Sequence, residues 1–278
     1  MAYFCSDMKP ARFFLYITSL LLSACNSNTT KEENNNSSTV AIDAEEKKLR
    51  DNIAKYPDSA LLKENLIQYF RENGNYDIAI AETDKAIKKD TANARLRDIK
   101  GTLLFENGDT LQAIIAFEKS VDLFPEPATI LSLGSLYAQT KNPKALDIAD
   151  ALLIGKNANA AIQAIFLKGL YYSYTGDKQK ALRFFNQCLA MDYTFMFAYR
   201  EKGIALYDLG KYNDAIEILS KAITVQNSFD EGYYWRGRCY EKLNNREEAI
   251  ADYQAAIEFA EDNDYPEAKD ALARLGVK

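Results

Sequence analysis

The chain has 278 residues and not one histidine. That lack removes the side chain that most often serves as general base or metal ligand, so an imidazole-based triad and a histidine-ligated metal site are excluded. Cysteine is scarce as well. Cys5, Cys25, Cys188 and Cys239 are the four, and none stands in C-x-x-C spacing, which excludes a zinc ribbon and a thioredoxin-type pair. There is no surplus of basic charge: 34 Lys and Arg face 40 Asp and Glu, a net charge of −6. A nucleic-acid binder would carry a basic stripe, and none is present. Paired carboxylates such as Glu247–Glu248 fall at helix starts, where they complement the helix dipole. No catalytic residue, cofactor or metal is therefore predicted, and the chain reads as a binding protein and not as an enzyme.

A long apolar run is also missing. "FFLYITSLLL", Phe13 to Leu22, is ten residues long. At about 1.5 Å per residue it would cover only half of the roughly 30 Å hydrocarbon core of a bilayer. Lys9 and Arg12 precede it, and the small residues Ser23 and Ala24 follow, the arrangement of a secretory signal over 1–24. "LSAC", Leu22 to Cys25, resembles a bacterial lipobox. The resemblance implies cleavage before Cys25 and lipidation of its thiol, palmitate among the usual chains; a plain signal peptide with an incidental cysteine is the alternative. Residues 25–43 follow as a polar segment with too little apolar surface to offset its ordering entropy, a disordered tether. Its reach is roughly 20–25 Å r.m.s.. Asn26 after the cysteine, by resemblance to lipoprotein sorting in Gram-negative bacteria, implies the outer membrane, on the periplasmic side. "KEE" at Lys31–Glu33 resembles a surface-export signal and leaves cell-surface display open.

The remainder, 44–278, is organised by a repeat. Ala79, Ala113, Ala145, Ala181, Ala215 and Ala249 follow turns at spacings of 34, 32, 36, 34 and 34 residues. A fixed period of this length marks an array of supersecondary units. Gly101, Gly134, Gly169, Gly203 and Gly237 recur in the preceding segment of each unit, with Ile67 departing in the first. Four residues beyond the alanines stand Phe117, Phe185, Leu219 and Tyr253, on the same helical face. Seven beyond come the small residues Ala86, Ser120, Cys188, Ala222 and Ala256, with Leu152 as the exception.

This pattern resembles the tetratricopeptide repeat (TPR), a helix–turn–helix unit of 34 residues. The resemblance implies an all-α fold: an α-solenoid, a right-handed superhelix of about six repeats near 60–93, 94–127, 128–161, 162–195, 196–229 and 230–263. Within each repeat, helix A crosses helix B at the small residues, and a wider crossing is expected at Ile67. Capping helices are predicted over Ala44–Asp58 and 265–276, because terminal repeats leave an apolar face uncovered. The third repeat, with Pro125, Pro127 and Pro143, should alter the local pitch or simply pack differently.

Cys188 and Cys239 are expected as buried free thiols. The steps Asp58–Ser59, Asp90–Thr91 and Asp109–Thr110 fit helix caps and also resemble an O-glycan acceptor pattern. On the predicted inner face of helix A, the first two repeats carry Glu64, Gln68, Arg71, Arg95, Asp98 and Thr102. The last three turn aromatic, with Phe166, Phe197, Tyr207, Tyr234 and the adjacent Trp235, interleaved with Arg200 and Arg238. Aromatic and arginine side chains are the usual anchors of protein interfaces, and an arginine beside rings can also hold a carboxylate. Those seven residues form the candidate groove for a protein or peptide partner. The carboxylate clamp of co-chaperone members is not expected, since Glu64 and Gln68 occupy one of its pairs. The resulting expectation is a lipid-anchored interaction scaffold or assembly factor of the bacterial cell envelope, with no nucleic acid and no small-molecule substrate. An adaptor of a cell-wall enzyme, an enzyme, or a self-associating structural repeat are the alternatives.

Overall fold

Why the period builds hairpins is visible at the turns. In the computed structural model, which describes residues 43–154 and 158–277, the first helix of each hairpin is closed by a residue in the left-handed region. Gly74, Gly108, Lys141, Gly176, Gly210 and Asn244 occupy that position. At the first of these, Asn75 N–H donates to the Phe70 carbonyl at 2.8 Å and Gly74 N–H to that of Arg71 at 3.0 Å. These are the two bonds of a Schellman cap, and they close helix A so that helix B can start at once. The signal predicted over 1–24, Cys25 and the predicted tether up to Ile42 lie outside the described residues.

The described residues hold fourteen α-helices and no strand. One unit, ending at Phe124, contains α1 (Ala44–Lys55), α2 (Ala60–Glu72), α3 (Tyr76–Lys89), α4 (Ala94–Glu106) and α5 (Thr110–Leu123). A second unit begins at Pro125 with α6 (Pro127–Gln139), α7 (Lys144–Ile154), α8 (Ala158–Thr175), α9 (Lys178–Met191) and α10 (Met196–Asp208). It continues through α11 (Tyr212–Val225), α12 (Asp230–Lys242), α13 (Arg246–Phe259), a 3₁₀ turn at Glu261–Asn263, and α14 (Pro266–Arg274). Within each unit, even-numbered helices up to α12 are helix A of a pair and the following odd ones helix B. α1 packs on α2 and α14 on α13, so each array carries its cap where the period left an open face.

Helix starts follow local chemistry. Ser59 Oγ accepts from Leu62 N–H at 3.3 Å, and Asp109 Oδ1 accepts from Gln112 N–H at 3.0 Å. Both are side-chain N-caps, each relieving one orphan donor of the first turn. The Asp90–Thr91 step ends α3 at Asp90 but does not supply the N-cap of α4. Asn93 takes that role, accepting from Leu96 N–H at 3.0 Å, while Asp90 holds the Asn93 amide at 2.9 Å. Pro266 occupies the first turn of α14, and Gly276 closes it at φ +76°.

The crossings are built around a glycine and a large side chain. A Cβ on Gly169 would stand 2.5 Å from the Phe185 ring, and one on Gly101 would stand 2.7 Å from Phe117. Leu219 fills the same place over Gly203, and Tyr253 over Gly237. The first repeat reverses the sizes: Ile67 replaces the glycine, and Thr83 stands where the second, fourth, fifth and sixth have the large residue. Both are buried, and Thr83 satisfies its hydroxyl by donating to the Ala79 carbonyl at 2.7 Å. Volume lost on helix B is returned by helix A.

The third pair departs differently. Its turn residue is Lys141 at φ 59°, and a Cβ on Gly134 would stand 2.7 Å from Leu167 of α8 and 3.3 Å from Ile148. Four residues beyond Ala145 stands the small, buried Ala149 in place of a large side chain, and Leu167 of the next helix A fills this space. Cys188 and Cys239 are buried free thiols, on elements more than a repeat apart. Burial pushes both up to about 12.

Candidate functional site

Every residue singled out on the helix A face can be placed, and a simple register orders them. Glu64 pairs with Arg95, Phe166 touches Phe197, Arg200 pairs with Glu231, and Tyr207 meets Arg238. Each pair is 31 residues apart, one repeat less one helical turn. Side chains lean towards the N-terminus of their helix. A residue on one helix A therefore meets the residue one turn earlier on the next.

In the first unit the face is paired internally, by this register at Glu64 and Arg95 and by other spacings elsewhere. Arg95 grips Glu64 through two nitrogens at 2.9 to 3.0 Å. Arg71 Nε donates to Glu106 at 2.7 Å, and Gln68 donates to Glu72 at 2.9 Å. Thr102 turns back to the Asp98 carbonyl at 3.2 Å. The charges on this face are satisfied by one another.

In the second unit the same positions gather rings, in two groups. Phe166 and Phe197 form an aromatic triangle with Phe195, at centroid distances of 5.2, 5.8 and 6.4 Å. Arg200 lies over Phe197 at 5.3 Å, but its guanidinium is already neutralised by Glu201 and Glu231, each at 3.0 Å. Burial works against the Arg200 charge, and the attraction of those two carboxylates more than restores it, leaving its pKa raised. Arg200 therefore holds α10 to α12.

The second group surrounds Arg238. Its guanidinium carbon lies 4.5 Å from the Trp235 ring centroid, 4.7 Å from Tyr207 and 5.9 Å from Tyr234. Arg238 donates to the Tyr207 hydroxyl at 3.3 Å. Tyr207 meets Tyr212 at 5.4 Å and Trp235 at 5.7 Å. Tyr234 stacks on Tyr265 at 5.0 Å and leans on Tyr253 at 5.9 Å, so the cap helix entrance supports the site from behind. Burial raises the hydroxyls of Tyr234, Tyr253 and Tyr265, which therefore stay neutral at physiological pH. Tyr207, Tyr212, Tyr234, Trp235 and Arg238 are half-buried and rest on the buried Tyr253 and Tyr265.

Several participants were not evident from the sequence. Phe195 ends a turn, and Tyr212 begins a helix B, positions outside the helix A pattern. Glu231 was legible in principle through the 31-residue register, as a charge opposite Arg200. Arg236 was missed too. It holds the buried Asp252 bidentately at 2.7 and 2.8 Å and Ser220 at 3.0 Å, pinning α12 to α13 and α11. Among the described residues no cluster of His, Cys, Asp and Glu could hold a metal ion, and no helix is long and apolar enough to cross a membrane.

Comparison with known proteins agrees with the architecture. Family models described as tetratricopeptide repeat match residues 64–128 and 200–266, and another matches 162–195. A tetratricopeptide repeat protein from Parabacteroides merdae is similar in structure over 83% of this chain and 90% of its own, with 21% identity and a TM-score of 0.69. A thermophilic repeat protein from Thermus thermophilus is similar over 66% of this chain and 97% of its own, with 18% identity and a TM-score of 0.53. In sequence, a DnaJ homolog subfamily C member 7 homolog from Dictyostelium discoideum is 23% identical over 239 residues. That match covers 79% of this chain and 42% of the relative, so the chain spans less than half the length of that protein.

Proposed function

This chain belongs to the tetratricopeptide repeat family, and on that premise we propose that it is a lipid-anchored interaction scaffold of the bacterial cell envelope. Tetratricopeptide repeats make protein–protein interaction scaffolds, and the finer reading assigns the partner face. The observation that carries it is the contrast between the two helix A faces. Charges on the first unit's face are spent on one another, whereas the second unit's face carries half-buried rings around Arg238. Large aromatic and arginine side chains supply most of the energy at protein interfaces, so a partner segment gains more from the second face. Acylation of Cys25 would fix the protein to the outer membrane, facing the periplasm. The tether would then let the array sample partners with a raised effective concentration. Its work is binding and presentation, without turnover.

The test is site-specific photocrosslinking in intact membranes. Crosslinkers at Phe197 or Tyr234 are expected to capture the same discrete partner, and crosslinkers at Gln68 or Thr102 to capture little. Capture confined to the latter pair would overturn the assignment. Incorporation of a labelled fatty acid, lost in Cys25→Ala, checks the anchor separately.

A further inference from the structure

The arginines of the described residues divide by what answers their charge. Arg50, Arg71, Arg95, Arg200, Arg236 and Arg274 each have a carboxylate within ion-pair distance. Arg183 is exposed to water, and Arg246, also exposed, donates to the Leu275 carbonyl. Arg97 sits in the charge-paired first unit and donates to the Thr91 carbonyl. Arg238 is different. It is half-buried, and three aromatic rings lie within 6 Å of its guanidinium. Its one hydrogen-bond acceptor among the described residues is the Tyr207 hydroxyl, at 3.3 Å. Rings displace water from a guanidinium and hold its plane, but they do not replace a counter-ion. The nearest comparable cation, Arg200, has two.

We infer that Arg238 is the anion-reading element of the partner face, and that the segment bound there carries a carboxylate which pairs with it. This deepens the groove reading proposed above and rests on it. The cage fixes what the ligand can be. Tyr207, Trp235 and Tyr234 are occupied by Arg238 itself, so they do not form a cage for a ligand cation. The guanidinium is planar and weakly hydrated, with donors beyond the one bonded to Tyr207, which suits it to a two-oxygen acceptor. Burial by the rings lowers the local dielectric, so the pair formed with a ligand carboxylate is stronger than an exposed one. A partner lacking that carboxylate would cover Arg238 without compensation, and this penalty gives selectivity. The carboxylate comes from an acidic side chain or from a chain terminus, and the experiment separates them.

Trp235 is the only tryptophan of the chain and touches Arg238, so its emission reports occupancy of this site directly. The full-length chain is titrated with N-acetylated, C-amidated hexaglutamate, with hexaglutamine blocked in the same way, and with hexaglutamine bearing a free C-terminus. The expected result is a saturable change in Trp235 emission with at least one carboxylate-bearing probe and a weaker response to blocked hexaglutamine. Arg238→Met should lower the affinity about tenfold or more, the usual range for a charged hydrogen bond. Arg238→Lys keeps the charge but loses the fork, and should fall between. Response to hexaglutamate alone identifies a side-chain carboxylate, and response to the free C-terminus alone identifies a terminal one. Equal binding of the blocked hexaglutamine, no saturable change with any probe, or an unaltered affinity in a folded Arg238→Met protein would overturn the inference. Crosslinking at Phe197 and Tyr234 could still succeed in that event, so its failure is distinct from failure of the partner face itself.

Discussion

Single residues show which parts of the pattern are conformational and which are steric. Lys141 adopts φ 59° at a turn where four other repeats use glycine. A side chain in that region costs roughly 1–2 kcal/mol. Lys141→Gly should therefore raise stability, by about 1 kcal/mol after the entropy lost to glycine's freer unfolded chain. Chemical denaturation of the second unit would check it. At Gly169 the constraint is contact: a Cβ would meet the Phe185 ring at 2.5 Å. Gly169→Ala should cost about 1–3 kcal/mol as that ring is forced aside, read by the same measurement. Cys188 and Cys239 are fully buried, with thiols pushed up to about 12. The thiolate is the reactive form, so both should resist thiol reagents at about pH 8 until the chain is unfolded, then react at once.

At the scale of helices, Ile67 and Thr83 occupy in the first pair the places that Gly101 and Phe117 hold in the second, with the large and small residues exchanged. Thr83→Phe alone should overpack the first pair and destabilise it by about 1–3 kcal/mol. Adding Ile67→Gly should recover part of that loss, a coupling seen in a double-mutant cycle as strong non-additivity. Additive losses would mean that the two positions do not share a space. The sequence was informative here because a crossing needs small residues at a fixed phase, so the period located every hairpin. It was silent on how the third pair closes, since nothing local foretells Leu167 reaching Gly134 from the following pair. The site was legible in part for the same reason. Phe166 meets Phe197 in one group and Tyr207, Tyr234 and the adjacent Trp235 surround Arg238 in another, because the helix A phase brings them there. Arg200 shares that phase, yet its charge is consumed by Glu231, a partner set by the offset between repeats. That offset emerges only when helices stack.

At the scale of the molecule, two helix A faces with the same register have opposite characters. One is closed by its own ion pairs, and the other presents rings around an arginine without a carboxylate partner among the described residues. In the first unit α1 packs on α2, and in the second α14 packs on α13. Ending the chain after Asp264 would expose Ala249, Tyr253 and Ala256 and remove Tyr265 from Tyr234. The loss should exceed that of a single core truncation, about 2 kcal/mol, with the second unit melting first in a thermal scan. Hydrogen–deuterium exchange on the chain bound to its crosslinked partner tests the account most directly. It predicts new protection along α8, α10 and α12, strongest around Phe197, Tyr207 and Arg238. Protection confined to α2 and α4, or to the helix B elements α3, α5, α9 and α11, would contradict it.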